Sequence, residues 1–458
     1  MANEASQTMS LKILVEKEKN RIVFVEANKD FVDVLFSFLT IPIGTIFGLT
    51  REHSLEGEIG CLNNLYESLE KFDEDLLSSE HKGILLRPRC ATDIYCRNLK
   101  VDLVECNKSK YYWCGTCGML SYYQNDFCRC GGALTYKLNL LDPVPQVGSG
   151  FIKPTVRFMI TDDFQVLPLS TAAGLSLLGN FGAFDWSKTE ERMLNIGKDE
   201  VLKLLKCSLA SRTPFSDSIL ESPFSKTKPF YGRYEPRMMN LSQRDVDTRN
   251  KDEKINLKLF INRSNNRALY AEVEENFVNL LCSFLSIPIG HIIKECPYLS
   301  FKGCLGNLRK SVQDLDVNKF FKSEEMKAIL LDPKLAPGTS YDNKLIGIEE
   351  VVNLTQSTLS SLFRIESTYL SSESRLRIGV GLVKGPSMFL VTDSLSIVPL
   401  SPISGISLID RSKVPLSDIQ ELEVNMGEEE TLRLLESLLV SRSALTDAFV
   451  LKETKQET

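Results

Sequence analysis

Histidine is scarce in this chain of 458 residues: there are three, His53, His81 and His291. None recurs at a matching place in the repeated blocks described below, so a Ser-His-Asp or Cys-His catalytic arrangement has little footing. An excess of positive charge is also missing. The 54 basic residues against 60 acidic ones leave a net charge of −6, which excludes the broad positive field that drives nonspecific nucleic-acid binding. There is no G-x-x-x-x-G-K-[ST] phosphate loop, and Gly379-Val380-Gly381-Leu382-Val383-Lys384-Gly385 misses the dinucleotide spacing by one residue. No uninterrupted apolar span is long enough for a membrane, because Phe31 to Leu49 carries Asp33 and is broken by Pro42 and Gly44. The opening Met1 to Ser10 (MANEASQTMS) has no apolar secretory core. An intracellular chain, cytoplasmic or nuclear and not secreted, is therefore expected, with its twelve cysteines reduced or metal-bound.

What the sequence does contain is a duplication. LKILVEKEKNRIVFVEANKDFVDVLFSFLTIPIG from Leu11 aligns without gaps on LKLFINRSNNRALYAEVEENFVNLLCSFLSIPIG from Leu257, with 15 of 34 positions identical. GCLNNL at Gly60 matches GCLGNL at Gly303, and ILLRP at Ile84 matches ILLDP at Ile329. Gly148 to Lys153 pairs with Gly379 to Lys384, Thr161-Asp162 with Thr392-Asp393, and Gly197 to Asp217 with Gly427 to Asp447. Two tandem homologous α+β domains follow, at about 8–220 and 255–451. The 221–254 stretch between them, with Pro223, Pro229, Pro236 and 14 charged residues, reads as a linker.

In each unit the first block alternates around a polar turn, Lys17 to Asn20 or Arg263 to Asn266, and predicts a β-hairpin. Phe31, Val34, Leu35, Phe38 and Leu39, with Phe277, Leu280, Leu281, Phe284 and Leu285 in the second copy, predict a helix with one apolar face. Ile41-Pro42-Ile43-Gly44 ends it. Phe158 to Val166 reads as a strand pair turning at Asp162 and Asp163, whose side chains are expected to serve that turn. Lys198 to Ser211 reads as an amphipathic helix. Cys61 and Cys304 are expected to be buried packing residues.

The copies differ most between Pro88 and Phe158, where the first carries C-x2-C and then C-x-C: Cys114, Cys117, Cys128 and Cys130. Glycine after each pair opens the tight turns of zinc-ribbon knuckles, and four thiolates complete a tetrahedral sphere with no position left for a reacting water. A structural zinc in a lobe at about 106–132 is the expectation. The second pair is one residue shorter than the usual knuckle, so Cys106 and His81 stand as alternative fourth ligands. Trp113-Cys114-Gly115-Thr116-Cys117 also looks like a thiol-disulfide oxidoreductase motif, a chemistry that needs its first cysteine at a helix N-terminus. From His81 to Lys137 nine basic residues face four acidic ones among Tyr95, Tyr111, Tyr112, Trp113, Tyr122, Tyr123 and Phe127, the one candidate nucleic-acid surface. Glycines near Lys153 and Lys384 offer a further candidate anion site.

Together, LKILVEKEKNRIVFVEANKDFVDVLFSFLTIPIG, GCLNNLYESLE, the cysteine insert, GFIKP, FMITDDFQVLPLS and LLKCSLASRTPFSD resemble the plant-specific domain of unknown function 674 family, over nearly the whole chain. That resemblance implies a plant intracellular protein and brings no mechanism with it. It also implies C-x-x-C as the second cysteine pair, where this chain has Cys128 and Cys130 one residue apart. The duplication, the cysteine spacing and the missing catalytic constellations lead to a non-enzymatic protein-interaction protein with a zinc lobe. Nucleic-acid binding through the insert is the alternative, and thiol-disulfide exchange at CGTC the second alternative.

Overall fold

The computed structural model describes residues 8–52, 59–77, 79–89, 92–96, 99–104, 111–114, 120–121, 136–140, 150–179, 186–220, 254–296, 302–335, 348, 363–369, 383 and 388–450. The linker reading therefore lies outside the described residues except at Lys254.

Strands β1 (Met9–Glu16) and β2 (Arg21–Asn28) form the expected hairpin. Asn20 takes a left-handed φ of 44° in the turn, a conformation asparagine tolerates better than most residues. The Asn28 side chain then accepts from the amides of Asp30 and Phe31 and starts α1 (Lys29–Ser37), which tightens into a 3-10 turn at Phe38–Thr40. This helix is covered on every side. Phe31, Val34 and Leu35 are buried as the apolar stripe predicts, but so are Val32, Asp33, Phe36 and Ser37 on the other faces. Ile41-Pro42 breaks the helix, and the chain at once restarts as α2 (Ile43–Glu52), followed by α3 (Leu62–Lys71), α4 (Ser79–Leu86) and α5 (Asp93–Cys96).

Next come three short strands of the cysteine region, β3 (Tyr111–Trp113), β4 (Leu120–Ser121) and β5 (Tyr136–Leu140). The pair β6 (Arg157–Thr161) and β7 (Val166–Pro168) turns at Asp162 and Asp163 as expected. Then follow α6 (Thr171–Gly179), β8 (Thr189–Ile196), α7 (Lys198–Ala210) and α8 (Pro214–Ile219). Glu200 accepts from the Gly197 amide and closes the first turn of α7.

The second half repeats the pattern with β9 (Ile255–Asn262), β10 (Arg267–Glu274), α9 (Glu275–Phe284), α10 (Ile289–Glu295), α11 (Lys302–Asp314), α12 (Val317–Phe320) and α13 (Glu324–Leu331). It continues with β11 (Phe363–Tyr369), β12 (Met388–Thr392), β13 (Ile397–Pro399), α14 (Pro402–Ser412), β14 (Ile419–Met426) and α15 (Glu428–Val440).

The architecture is mixed α+β with three sheets. Two have five strands each, ordered β7-β6-β2-β1-β8 and β13-β12-β10-β9-β14, with antiparallel neighbours throughout. The third, ordered β11-β5-β3-β4, joins the cysteine region to a strand from the C-terminal half. One apolar cluster runs through both halves, from Leu11, Phe31 and Phe158 to Leu259, Phe277 and Phe389. A small separate cluster, Leu14, Val23 and Leu178, belongs to the first half alone. The helices that cover one sheet come partly from the other half: α11 packs against β7, and α3 against β13. Among the described residues, no helix is long and apolar enough to cross a membrane.

Candidate functional site

Of the four predicted zinc ligands only Cys114 is described; Cys117, Cys128, Cys130 and the alternative ligand Cys106 lie outside the described residues. His81 lies on α4, with its side chain also outside them. Cys114 follows β3 directly and is 2% exposed. β3 pairs antiparallel with β4, Tyr112 opposite Ser121 and Trp113 opposite Leu120, so the first cysteine sits at a strand end entering a strand-to-strand connection. Thiol-disulfide exchange is favoured by a helix N-terminus at that point, and residues 115–119 lie outside the described residues. Among the described residues, no group of three or more His, Cys, Asp or Glu side chains is placed to hold a metal ion.

The described rings of this region are engaged in packing. Tyr112 is buried, the Trp113 ring lies 5.9 Å from that of Tyr136, and the Tyr95 hydroxyl donates to Glu325 Oε1 at 3.2 Å. A stacking platform for bases needs open ring faces, which the buried Tyr112 does not offer. The second half completes the lobe: Phe363, Arg364 and Ile365 of β11 pair with Leu140, Asn139 and Leu138 of β5.

The glycine loop proposed for an anion is filled by a carboxyl group of the chain itself. Asp33 Oδ1 accepts from the amides of Phe151 and Ile152 at 2.7 and 2.9 Å, and Lys29 Nζ donates to Oδ2 at 2.8 Å. Burial pushes the Asp33 carboxyl up, and Lys29 and the two amides pull it back. Gly150 is required here, since its φ is +81° and a Cβ would lie 2.1 Å from Asp33 Oδ2. Lys153 turns away, its Nζ donating to the Asn318 carbonyl. In the second half Asn279 stands in the Asp33 position and accepts from the Val383 amide at 2.9 Å. Lys384 lies outside the described residues.

Asp162 and Asp393 also differ from their turn reading. Asp163 serves the turn, accepting from the Thr161 hydroxyl at 2.5 Å, while Asp162 reaches the start of α8. There it accepts from the Ser216 amide at 3.0 Å and the Ser216 hydroxyl at 2.5 Å, and that hydroxyl accepts from the Ile22 amide at 2.8 Å. The second half repeats the relay, Ala268 N–H to Thr446 Oγ1 at 2.9 Å and Thr446 Oγ1 to Asp393 Oδ2 at 2.9 Å. Burial pushes each carboxyl up to about 6, against the pull of its hydroxyl and amide donors.

Cys61 and Cys304 are buried as expected and make a bond the sequence did not announce. Cys61 Sγ donates to the Ser441 carbonyl at 3.1 Å, and Cys304 Sγ to those of Ser208 and Ser211 at 2.8 and 3.3 Å. Burial pushes both thiols up to about 12, which leaves almost no thiolate at neutral pH for nucleophilic chemistry.

A cleft of about 390 Å³ opens between α2, α3 and α4. Arg51 pairs with Glu70 at 2.7 Å, Arg87 pairs with Glu52, and the Arg51 guanidinium lies 5.8 Å from the centre of the Tyr66 ring. Its formal charges cancel. Gly48 and Gly83 keep it open; a Cβ on Gly83 would meet nothing within 4 Å. At the corresponding places in the second half stand Lys294, Arg309 and Asp332, in place of Gly48, Tyr66 and Arg87, and Lys294 Nζ pairs with Asp332 Oδ1 at 2.7 Å. His291 Nδ1 lies 3.6 Å from the same oxygen, and these neighbours, His291 first, hold the Asp332 carboxyl well below the usual carboxylate range. The ILLRP and ILLDP blocks carried this difference in the sequence.

A family model described as "Protein of unknown function (DUF674)" matches residues 5–429. The chain belongs to this family. No curated protein and no solved structure matches it. Membership in DUF674 accounts for the motif blocks from Leu11 to Asp217 and adds no ligand, substrate or partner to them.

Proposed function

We propose that this DUF674 protein is a non-enzymatic, intracellular protein-interaction protein, cytoplasmic or nuclear. On this reading it is built of two homologous α+β units, 8–220 and 255–451, and carries a structural zinc at Cys114, Cys117, Cys128 and Cys130. The observation that carries the interaction reading is a pair of exposed apolar surfaces at matched places. Helix α6 follows the β6–β7 pair and α14 the β12–β13 pair, with Leu175 61% and Ile406 67% exposed, and Ile403 is exposed one turn from Ile406 on α14. Clustered exposed aliphatic side chains on a water-soluble surface point to a partner with an apolar face of its own. The non-enzymatic reading draws support from the buried acids and thiols, whose lone pairs and protons are engaged with backbone and hydroxyl groups of this chain. Support for the zinc reading comes from Cys114 beside the β3–β4 ladder, where a ribbon knuckle sits, and from the closed four-sulfur sphere that would result.

The test compares the wild-type chain with L175D and I406D in affinity capture from the native source. The expected outcome is loss of the same identified protein from both variants, with unchanged thermal melting because neither side chain is buried. Capture that is indifferent to both substitutions overturns the interaction reading. Metal analysis of protein purified under reducing conditions tests the lobe: stoichiometric zinc in the wild type and none in C114S is expected, and zinc-free wild-type protein refutes it.

A further inference from the structure

Many of the bonds between the two halves occur in pairs, beside one-sided contacts such as the β5–β11 ladder and the Ile152–Phe321 bridge. The Asn64 amide nitrogen donates to the Ser394 carbonyl at 2.9 Å, and that of Asn307 donates to the Asp163 carbonyl at 3.0 Å. Ile397 N–H donates to Ser68 Oγ at 2.9 Å, and Val166 N–H donates to Ser311 Oγ at 2.9 Å. The thiols of Cys61 and Cys304 reach the Ser441 and Ser211 carbonyls across the same boundary. At the centre Ile43 N–H donates to the Ile287 carbonyl and Ile289 N–H to the Ile41 carbonyl, both at 3.1 Å, around an antiparallel bridge between Pro42 and Pro288. Two glycines allow that approach: a Cβ on Gly44 would lie 3.0 Å from Leu285 Cβ, and one on Gly290 would lie 2.5 Å from the Leu39 carbonyl oxygen.

When residue i of one body contacts j of the other and the counterpart of j contacts the counterpart of i, the contact is isologous, the self-complementary kind that joins identical subunits about a two-fold axis. We propose that the surface between the halves is such an interface, carried within one chain, and that the partner each half fits is the other half of the same molecule. The inference rests on the two-unit reading for the correspondence of residues, while the bonds themselves are direct. It explains why one apolar cluster spans both halves, because α3 and α11 each finish the other half's core. It also explains the matching chemistry of the paired positions in the two halves: each serine hydroxyl accepts from a buried strand amide.

The test uses the full chain with a protease site placed between residues 221 and 253. After cutting, native mass spectrometry is expected to find the two halves still bound one to one at nanomolar concentration. S68A and S311A each orphan one buried amide, so each is expected to weaken the association of the cut halves by about fivefold to a hundredfold, and by the same factor within threefold. Halves that separate while each retains its circular-dichroism spectrum overturn the interface and leave the two-unit reading standing. Halves that stay together, with one serine variant silent and the other not, overturn the symmetry of the interface.

Discussion

Asp162 and Asp393 make stability depend on pH near neutrality. Each carboxyl sits near 6 in the folded chain, against about 3.9 when solvated in the unfolded one. A folded-state pKa that is raised means the native state holds the proton more tightly. The stability so gained is fully present below the unfolded value and is lost as pH rises through the folded one. Taking the chain from pH 7.5 to pH 5 therefore adds about 1.4 kcal/mol per carboxylate, or about 3 kcal/mol for the pair. Asn removes the titration while leaving an oxygen to accept the Ser216 or Thr446 amide. Urea unfolding of wild type and of the D162N/D393N double variant at pH 7.5, 6.5, 5.5 and 5 reads the difference. Asp33 and Asp447 are also pushed up by burial, so the variant keeps some slope of the same sign, and the comparison is of slopes. The wild type is expected to gain about 3 kcal/mol more than the variant across this range. Parallel curves for the two proteins would refute the argument that these acids are held uncomfortably charged at neutral pH.

Asp332 acts in the opposite direction: its carboxyl is held low by His291 and Lys294, so its contribution is present above the ordinary carboxylate value and disappears as pH falls below it. D332N is expected to flatten the acid limb of the stability curve below about pH 4, as followed by acid-induced loss of circular dichroism. Two glycine substitutions should separate sharply in thermal melting. G150A forces a side chain into the left-handed region and onto Asp33, at a cost above about 3 kcal/mol, whereas G83A, inside α4 with open space around it, should stabilise by about 0.5–1 kcal/mol. C61A and C304A each remove a buried sulfhydryl donor and its volume, and both should lower the urea midpoint, by about 1–2 kcal/mol of stability.

Local periodicity made the hairpins at Lys17 to Asn20 and Arg263 to Asn266, the strand pair around Asp162, and α7 legible, because each is decided by residues within a few positions of one another. The restart at Ile43 was not. Proline that ends one helix also suits the approach to the next, and composition does not separate the two. Asp33 was visible as a lone charge in an apolar run, but its partners, Phe151 and Ile152, lie more than a hundred positions away, and no spacing rule links them. Likewise Ser216 gives no sign in SRTPFSD that its hydroxyl will bridge Ile22 and Asp162. The cleft came closest to being readable, since Arg87 and Asp332 differ within otherwise matching blocks; what the alignment lacked was the third dimension that brings Gly48 and Tyr66 beside Arg87.

The bond from Cys61 to Ser441 spans 380 positions of chain. On a ribosome adding about 5–20 residues per second, the segment around Cys61 therefore waits roughly 20 to 80 seconds for the residues that cover it. During that interval the nascent α3 can rest on α2 and α4 of its own half, while the chain around Leu438 and Ser441 that closes over Cys61 is still missing. A chain terminated in the C-terminal half therefore keeps the first half's own helices but leaves the Cys61 end of α3 without its last covering segment.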